Sequence, residues 1–256
     1  MIYQLEISAV TILVFILIFY VIAQIIKNNS IIDIGWGLGF LTISTVLLLS
    51  NGNLDIKDFL ITSLIALWGL RLSIHIFLRN AGKGEDYRYA EWRKDWGDKA
   101  ALNAFYRVFL LQGILILIIA LPILFVFNST DSEFYPTTIL GVIIFFTGFL
   151  FESTADIQLY TFKEKRVNKG KIIKTGLWKI TRHPNYFGEA VLWWGIFILS
   201  IDSYLSLIGI VSPLLLNFLL IKVSGIPLLE KKYEGNREWE EYKKMTPAFI
   251  PFFGKK

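Results

Sequence analysis

Apolar residues in this chain come in long unbroken runs, not in alternation. Seven runs read as helices, at roughly 5–26, 31–50, 56–78, 105–127, 136–162, 186–201 and 203–226. All but the sixth reach the ~20 residues that a helix needs to cross ~30 Å of hydrocarbon. The sixth makes up its length if the helix begins a turn earlier, inside a polar segment. Continuous runs exclude an outer-membrane barrel, whose strands alternate lipid-facing and lumen-facing residues. The first run has no basic leader, no small-x-small cleavage site and too long an apolar stretch for a signal peptide, so it is expected to remain as a span. No internal repeat, low-complexity tract or long Gly/Ser linker divides the chain. The pattern predicts an all-α polytopic membrane protein, a bundle of about seven transmembrane helices forming a single integral membrane domain over 1–256.

Composition agrees. Hydrophobic residues make up 54% of the chain and charged residues only 18%, against about a quarter charged in a soluble domain. Disordered, collagen-like and coiled-coil chains are excluded. The absence of cysteine excludes a disulfide scaffold, thiol nucleophiles and thiolate metal sites. The net charge of +5 is distributed unevenly. Of the 26 basic residues, 22 fall in the connections 79–107 and 163–185 and in the tail after 226, while the alternate connections 51–55, 128–135 and 202 have none. By the positive-inside rule the tail is cytoplasmic and the N-terminus outside, as in a bacterial inner-membrane protein. The basic surplus then reads as topology and contact with anionic membrane lipids, with no nucleic-acid partner expected.

Ionisable residues inside spans are costly and usually functional. Here they are Asp33, Arg71, His75, Glu152, Asp156, Glu189 and Lys222. On this topology each lies in the cytoplasmic half of its helix. Arg71, His75 and Arg79 are four apart and share a face. Glu152, Asp156, Tyr160 and Lys163 form a second stripe, and Asn185, Glu189 and Trp193 a third. Two carboxylates one turn apart, as in Glu152 and Asp156, repel unless a cation or donor lies between them. Three stripes opening to one side predict a polar cavity facing the cytosol. An Arg/Lys-rich rim suits phosphates, carboxylates and amides suit ribose hydroxyls and carboxamides, and nearby aromatics suit stacking on a flat ring. Together they suit a nucleotide cofactor beside a lipid-accessible pocket. The two histidines, His75 and His183, lie on different elements with no His-x-x-x-His pair, so no metal site is expected. Gly35-Trp36-Gly37-Leu38-Gly39 lacks the strand and spacing of a dinucleotide fingerprint and reads as helix packing through small residues.

The most specific stretch is Thr181-Arg182-His183-Pro184-Asn185-Tyr186-Phe187-Gly188-Glu189, preceded by Gly176-Leu177-Trp178. Proline at the first helical turn marks a helix start, and Arg182 and His183 flank an N-terminus that favours anions. Gly188 permits a close approach by another backbone or a ligand. This segment resembles the C-terminal signature of the steroid 5-alpha-reductase superfamily, specifically a bacterial branch of membrane proteins. The resemblance extends to Asp33-x-x-Trp36, Trp68-Gly69-Leu70-Arg71-Leu72, Glu85-Asp86-x-Arg88-Tyr89, Ala155-Asp156-x-Gln158 with Phe162-Lys163, Ser224-Gly225-Ile226-Pro227 through Tyr233, and Tyr242 with Thr246-Pro247-Ala248-Phe249-Ile250-Pro251.

The resemblance implies a seven-helix NADPH-dependent reductase whose C-terminal half, about 136–256, binds the cofactor. Asp156 and Lys163 are then expected on the adenosine and phosphate side, and Asn185, Tyr186 and Glu189 on the nicotinamide or ribose side. Arg71 and Arg79 are expected on phosphates, and Glu230 and Tyr233 in the pocket from the tail, with Glu152, Arg182 and His183 completing the cofactor set. Where the steroid reductases carry a glutamate on helix two and a tyrosine on helix three, this chain has Asp33 and Trp68. An indole N–H donates a hydrogen bond but does not release a proton, so the general acid falls to Tyr87 or Tyr89, with Asp33 and Tyr89 the catalytic candidates. The expected reaction is reduction of the double bond of a lipid-soluble enone or a steroid- or isoprenoid-like substrate. The alternative is an S-adenosylmethionine-dependent methyltransferase of the isoprenylcysteine type, which carries a similar Arg-His-Pro-x-Tyr helix start. A transporter fits less well, because the charges cluster in one half of the membrane.

Overall fold

The computed structural model describes residues 1–129 and 133–252. Among these residues there are helices and no strand. Six helices among the described residues are long and apolar enough to cross a membrane, which makes this an integral membrane protein. The chain forms two compact units, Met1–Glu133 and Phe134–Lys256.

The first unit holds α1 (Ile2–Ile26), α2 (Ile31–Ser50), α3 (Ile56–Asn80), α4 (Tyr87–Trp96) and α5 (Ala100–Ala104). A π-helical segment (Phe105–Leu110) follows, then α6 (Leu111–Ile119) and α7 (Leu121–Asn128). The apolar run expected as one helix at 105–127 is therefore divided near Ala120. Pro122 is the cause, since its ring excludes a hydrogen bond to the preceding turn and begins α7 instead. The polar connection 79–107 is largely helical. Its helices α4 and α5 carry no long apolar run, so hydropathy does not register them.

Helix α2 owes its central position to three glycines. A Cβ on Gly37 would lie 2.5 Å from the Gly69 carbonyl oxygen of α3, one on Gly35 would strike Phe19 of α1, and one on Gly39 would strike Ile116 of α6. The Gly-x-Gly-x-Gly run thus packs three ways, as small residues do between membrane helices. Two hydrogen bonds add to the α2–α3 contact: Ser73 Oγ donates to the Ile34 carbonyl at 2.8 Å, and Ser44 and Thr62 hydroxyls pair at 2.8 Å.

The second unit holds α8 (Pro136–Glu164), α9 (Pro184–Leu199) and a 3-10 turn (Ser206–Ile210) that runs into α10 (Val211–Phe218) and a π-helical segment (Leu219–Val223). Two short helices close it, α11 (Ile226–Lys231) and α12 (Arg237–Met245). The 16 residues of α9 span about 24 Å. The helix begins at Pro184, inside the polar segment and two residues before 186, so about half of the extra N-terminal turn expected from the sequence is formed. His183 precedes a proline, which disfavours helical backbone there, and it has φ −134° and ψ 62°. Helix α9 is buried on most of its surface, from Pro184 and Gly188 to Phe197 and Leu199. It is an inner helix shielded by protein.

Helices α8 and α9 meet backbone to backbone. A Cβ on Gly141 would fall on Leu199 and Gly195, one on Gly195 would lie 2.5 Å from the Phe145 nitrogen, one on Gly148 would fall on Leu192, and one on Gly188 would fall on Glu152. The pairs 141/199, 145/195, 148/192 and 152/188 define one antiparallel register. In lipid no hydrophobic driving force favours helix association, so van der Waals contact at this distance carries the interface. Gly188→Ala is expected to lower stability by about 1–3 kcal/mol through overpacking, whereas Gly52→Ala, where a Cβ meets nothing within 4 Å, leaves it unchanged. Thermal unfolding of the purified chain in detergent measures both.

Candidate functional site

In the first unit, polar groups collect where the α1–α2 turn meets the segment leading into α4. The Glu85 carboxylate accepts from the Asn29 backbone N–H at 2.6 Å and from Arg93 Nε and Nη2 at 2.9 and 2.8 Å. The Asp86 N–H donates to Ser30 Oγ at 3.3 Å. Asp86 also caps α4, accepting from the Arg88 N–H at 3.1 Å and Arg88 Nε at 2.9 Å. Burial raises the pKa of both carboxyls. Their bonds to Arg93 and Asn29, and to Arg88, outweigh it and hold both below the ordinary carboxylate range. This bracing fixes the start of α4 and with it two consecutive side chains. Arg88 Nη2 donates to Asp33 Oδ2 at 3.0 Å, and the buried Tyr89 hydroxyl donates to Asp33 Oδ1 at 2.6 Å. Gln112 Nε2 donates to the Tyr89 oxygen at 3.4 Å.

In the second unit, the polar segment before α9 is bound to the tail. Glu230 Oε1 accepts from Arg182 Nε at 2.9 Å, Arg182 Nη2 at 2.9 Å and His183 Nε2 at 3.0 Å. Arg182 Nη1 donates to the carbonyls of Thr246 at 2.6 Å and Lys243 at 3.3 Å, and the Arg182 N–H donates to the Pro247 carbonyl at 2.9 Å. Thr181 Oγ1 donates to the carbonyls of Phe249 and Ala248. The Tyr242 hydroxyl donates to the Trp178 carbonyl, and Trp178 Nε1 donates to the Ala155 carbonyl of α8 at 3.1 Å. Burial lowers the pKa of His183, and the neighbouring Glu230 reverses only part of that. The ring is therefore neutral and donates to the carboxylate through Nε2. Its plane stacks on Tyr186, centroids 5.7 Å apart.

Beyond this clasp lie three buried carboxylates, Glu152 (2% exposed), Asp156 (5%) and Glu189 (8%). The glycine register sets Glu152 against Gly188, next to Glu189. Continued one turn, it sets Asp156 opposite Pro184 and Ala155 opposite Asn185. Asn185 Oδ1 is buried and has no hydrogen-bond partner among the described residues. Buried polar atoms are nearly always bonded, so this acceptor points to a ligand donor. No cluster of three or more His, Asp or Glu side chains with metal-binding geometry occurs among the described residues.

Residues 19–246 match the sequence profile of the family described as Protein of unknown function (DUF1295). The chain belongs to this family. It is also similar to steroid 5-alpha-reductase DET2 of Arabidopsis thaliana, with 31% identity over 121 residues, which is 44% of this chain and 41% of the plant protein. The chain thus matches about two fifths of that relative's length. The similarity agrees with a place in the steroid 5-alpha-reductase superfamily.

The candidate residues of this DUF1295 protein separate into three groups. Asp33 and Tyr89, far apart in sequence, are hydrogen-bonded to each other. In the same unit Arg71 is half-buried on α3, while Arg79 is exposed, its charge helping to lower the pKa of Asp86. In the second unit Glu152, Asp156, Asn185 and Glu189 line the facing stretches of α8 and α9, with half-buried Tyr186 beside them and exposed Lys163 at the end of α8. Arg182, His183 and Glu230 instead form the clasp, and Tyr233 stacks on Trp239 at 4.7 Å. The sequence reading missed the roles of Arg88 and Gln112 around Tyr89. Arg88 was visible within Glu85-Asp86-x-Arg88-Tyr89, but only the fold shows that it reaches Asp33.

The pKa directions separate two pH windows. A histidine with a folded pKa below its ordinary 6.5 binds fewer protons folded than unfolded, so its contribution is full above about pH 6.5 and is lost as pH falls. Glu85 and Asp86, also depressed, contribute above their ordinary values of 4.5 and 3.8 and lose that contribution only in stronger acid. Melting temperature should therefore begin to fall as pH drops below about 6.5, ahead of the acid limb set by the carboxylates. His183→Gln should flatten this early fall and leave the acid limb intact. An unchanged profile in the variant contradicts a buried neutral His183.

Proposed function

We propose that this protein is a membrane-embedded reductase of the steroid 5-alpha-reductase superfamily, in a bacterial branch, using NADPH to reduce the double bond of a lipid-soluble enone or a steroid- or isoprenoid-like substrate. The observation that carries this reading is the Asp33–Tyr89 hydrogen bond. A buried phenol held by a half-buried carboxylate is an acid–base device that double-bond reduction needs and methyl transfer does not. The similarity to a steroid 5-alpha-reductase supports the same choice.

Tyr89 is the proton-bearing residue in this reading. Its hydroxyl polarises the carbonyl oxygen of the enone, Asp33 orients that hydroxyl, and Arg88 offsets the charge of Asp33 so that the three groups are neutral together. Gln112 donates to the Tyr89 oxygen and stabilises it when its proton is shared. Overall, one hydride adds to the β carbon of the enone, and one proton reaches the α carbon. NADPH supplies the hydride when bound. The chemistry of the second unit fits that cofactor. Glu152, Asp156 and Glu189 are acceptors for ribose hydroxyls, Asn185 Oδ1 is an acceptor awaiting a donor, Tyr186 offers an aromatic face, and Lys163 with its basic neighbours suits phosphate. Arg182, His183 and Glu230 hold this set in place through the clasp. We place the basic connections and C-terminal tail in the cytoplasm and the N-terminus outside, with membrane lipids around the bundle.

The test is ligand-dependent thermal stability of the detergent-purified chain with NADPH, NADH and S-adenosylmethionine. NADPH at 100 times its dissociation constant should stabilise by about 2.7 kcal/mol. Glu189→Ala should lose that stabilisation. Tyr89→Phe should keep it while enone reduction falls by about 10²-fold or more. Stabilisation by S-adenosylmethionine alone overturns the reductase reading in favour of a methyltransferase.

A further inference from the structure

Asn185 is not alone in the second unit. Ser153 Oγ on α8 and Asn217 Oδ1 on α10 are likewise buried and without a hydrogen-bond partner among the described residues. Each lone buried polar atom destabilises the fold, and three in one unit ask for a common explanation.

Their depths agree. The antiparallel register of α8 and α9 puts Ser153 opposite 187, half a turn from Asn185. Helix α10 follows α9 after a short connection and packs against it, as antiparallel neighbours joined by short connections do. From Leu199 back to Asn185 the rise is about 21 Å, and from Ser206 through the 3-10 turn to Asn217 it is about 20 Å. Asn217 therefore lies at the depth of Asn185. It also lies on the inner side of its helix. The buried residues of this stretch are Ser212, Pro213, Leu216 and Leu220, and the exposed ones are Val211, Leu214 and Phe218. Asn217 stands one turn from Pro213 and one from Leu220. The π-helical segment (Leu219–Val223) begins two residues later, the kind of local register change that accompanies functional sites.

The chemistry of the three atoms is specific. Two amide oxygens each need a donor, and a serine hydroxyl has a proton to give. A primary carboxamide offers two N–H donors and one carbonyl acceptor, which matches all three. We propose that Asn185, Asn217 and Ser153 form a carboxamide-reading subsite, with Asn217 a specificity-determining residue for the nicotinamide end of the cofactor. This deepens the NADPH reading and rests on it.

The experiment titrates the full-length chain in detergent with NADPH and with its 3-acetylpyridine analogue, in which a methyl replaces the carboxamide NH2. The wild-type chain is expected to bind NADPH at least about tenfold more tightly, the worth of one good hydrogen bond to a buried group. Asn217→Leu removes one of the two acceptors and is expected to reduce that preference severalfold while binding the analogue as the wild type does. Without ligand, Asn217→Leu should melt at the same or a higher temperature, because an apolar side chain replaces an unbonded buried amide. A purely structural asparagine predicts a lower melting temperature. Equal wild-type affinity for the two dinucleotides overturns the subsite and leaves the NADPH reading standing, with no need for a variant. A preference undiminished in Asn217→Leu overturns the role of Asn217. Binding of neither dinucleotide overturns the NADPH reading and the subsite together.

Discussion

The backbone contact between α8 and α9 governs the second unit. Gly141 and Gly148 on one helix and Gly188 and Gly195 on the other leave no room for side chains between the two backbones. Within a helix interior the backbone carbonyls and amides bond to one another, so close approach there incurs little polar penalty, and dispersion supplies the attraction. The contact also sets positions elsewhere. It fixes which residues face each other, and so brings the Glu152 level of α8 to the Glu189 level of α9. A side chain at any of the four glycines would separate the helices and move the carboxylates apart before it touched them.

The start of α9 is held by a different kind of interaction. Proline gives the first turn its backbone angle but supplies no tertiary contact. That role falls to the tail, through Glu230 and the carbonyls of Lys243, Thr246 and Pro247 around Arg182. A planar guanidinium with donors on several edges bridges these groups in a way that a lysine ammonium does not. The arrangement explains why so polar a segment is buried. Its charges are matched within the protein, leaving Asn185, one residue past the proline, with the unmet acceptor. In the first unit the Glu85 and Asp86 brackets do equivalent work for Arg88 and Tyr89.

Much of this was legible in the sequence because the physics is periodic. Apolar runs near 20 residues marked the long helices, and stripes four residues apart placed Glu152 with Asp156 and Asn185 with Glu189 on shared helix faces. Asp33 and Tyr89 were catalytic candidates only through a family resemblance, and the hydrogen bond between them was not foreseen, since their separation of 56 residues leaves no local signal. Helix α4 was missed because it is polar and α5 because it has only five residues, and the division of the run at 105–127 because a single Pro122 outweighs the surrounding hydropathy. The clasp was the least legible part. Arg182 and His183 beside a helix N-terminus suggest an anion site, and only the folded tail shows that Glu230 and backbone carbonyls already occupy their donors. The bonded and unbonded parts of one motif have the same polarity, so composition does not separate them. Unbonded buried atoms do.

The central claim is that the second unit, around the start of α9, is a nucleotide site. Backbone hydrogen exchange of the purified chain, followed by mass spectrometry with and without NADPH, tests it most directly. The account predicts slower exchange concentrated in segments covering 150–158, 183–193 and 213–223, with little change in α1. Unchanged exchange in those segments at saturating NADPH, or protection confined to other parts of the chain, contradicts it.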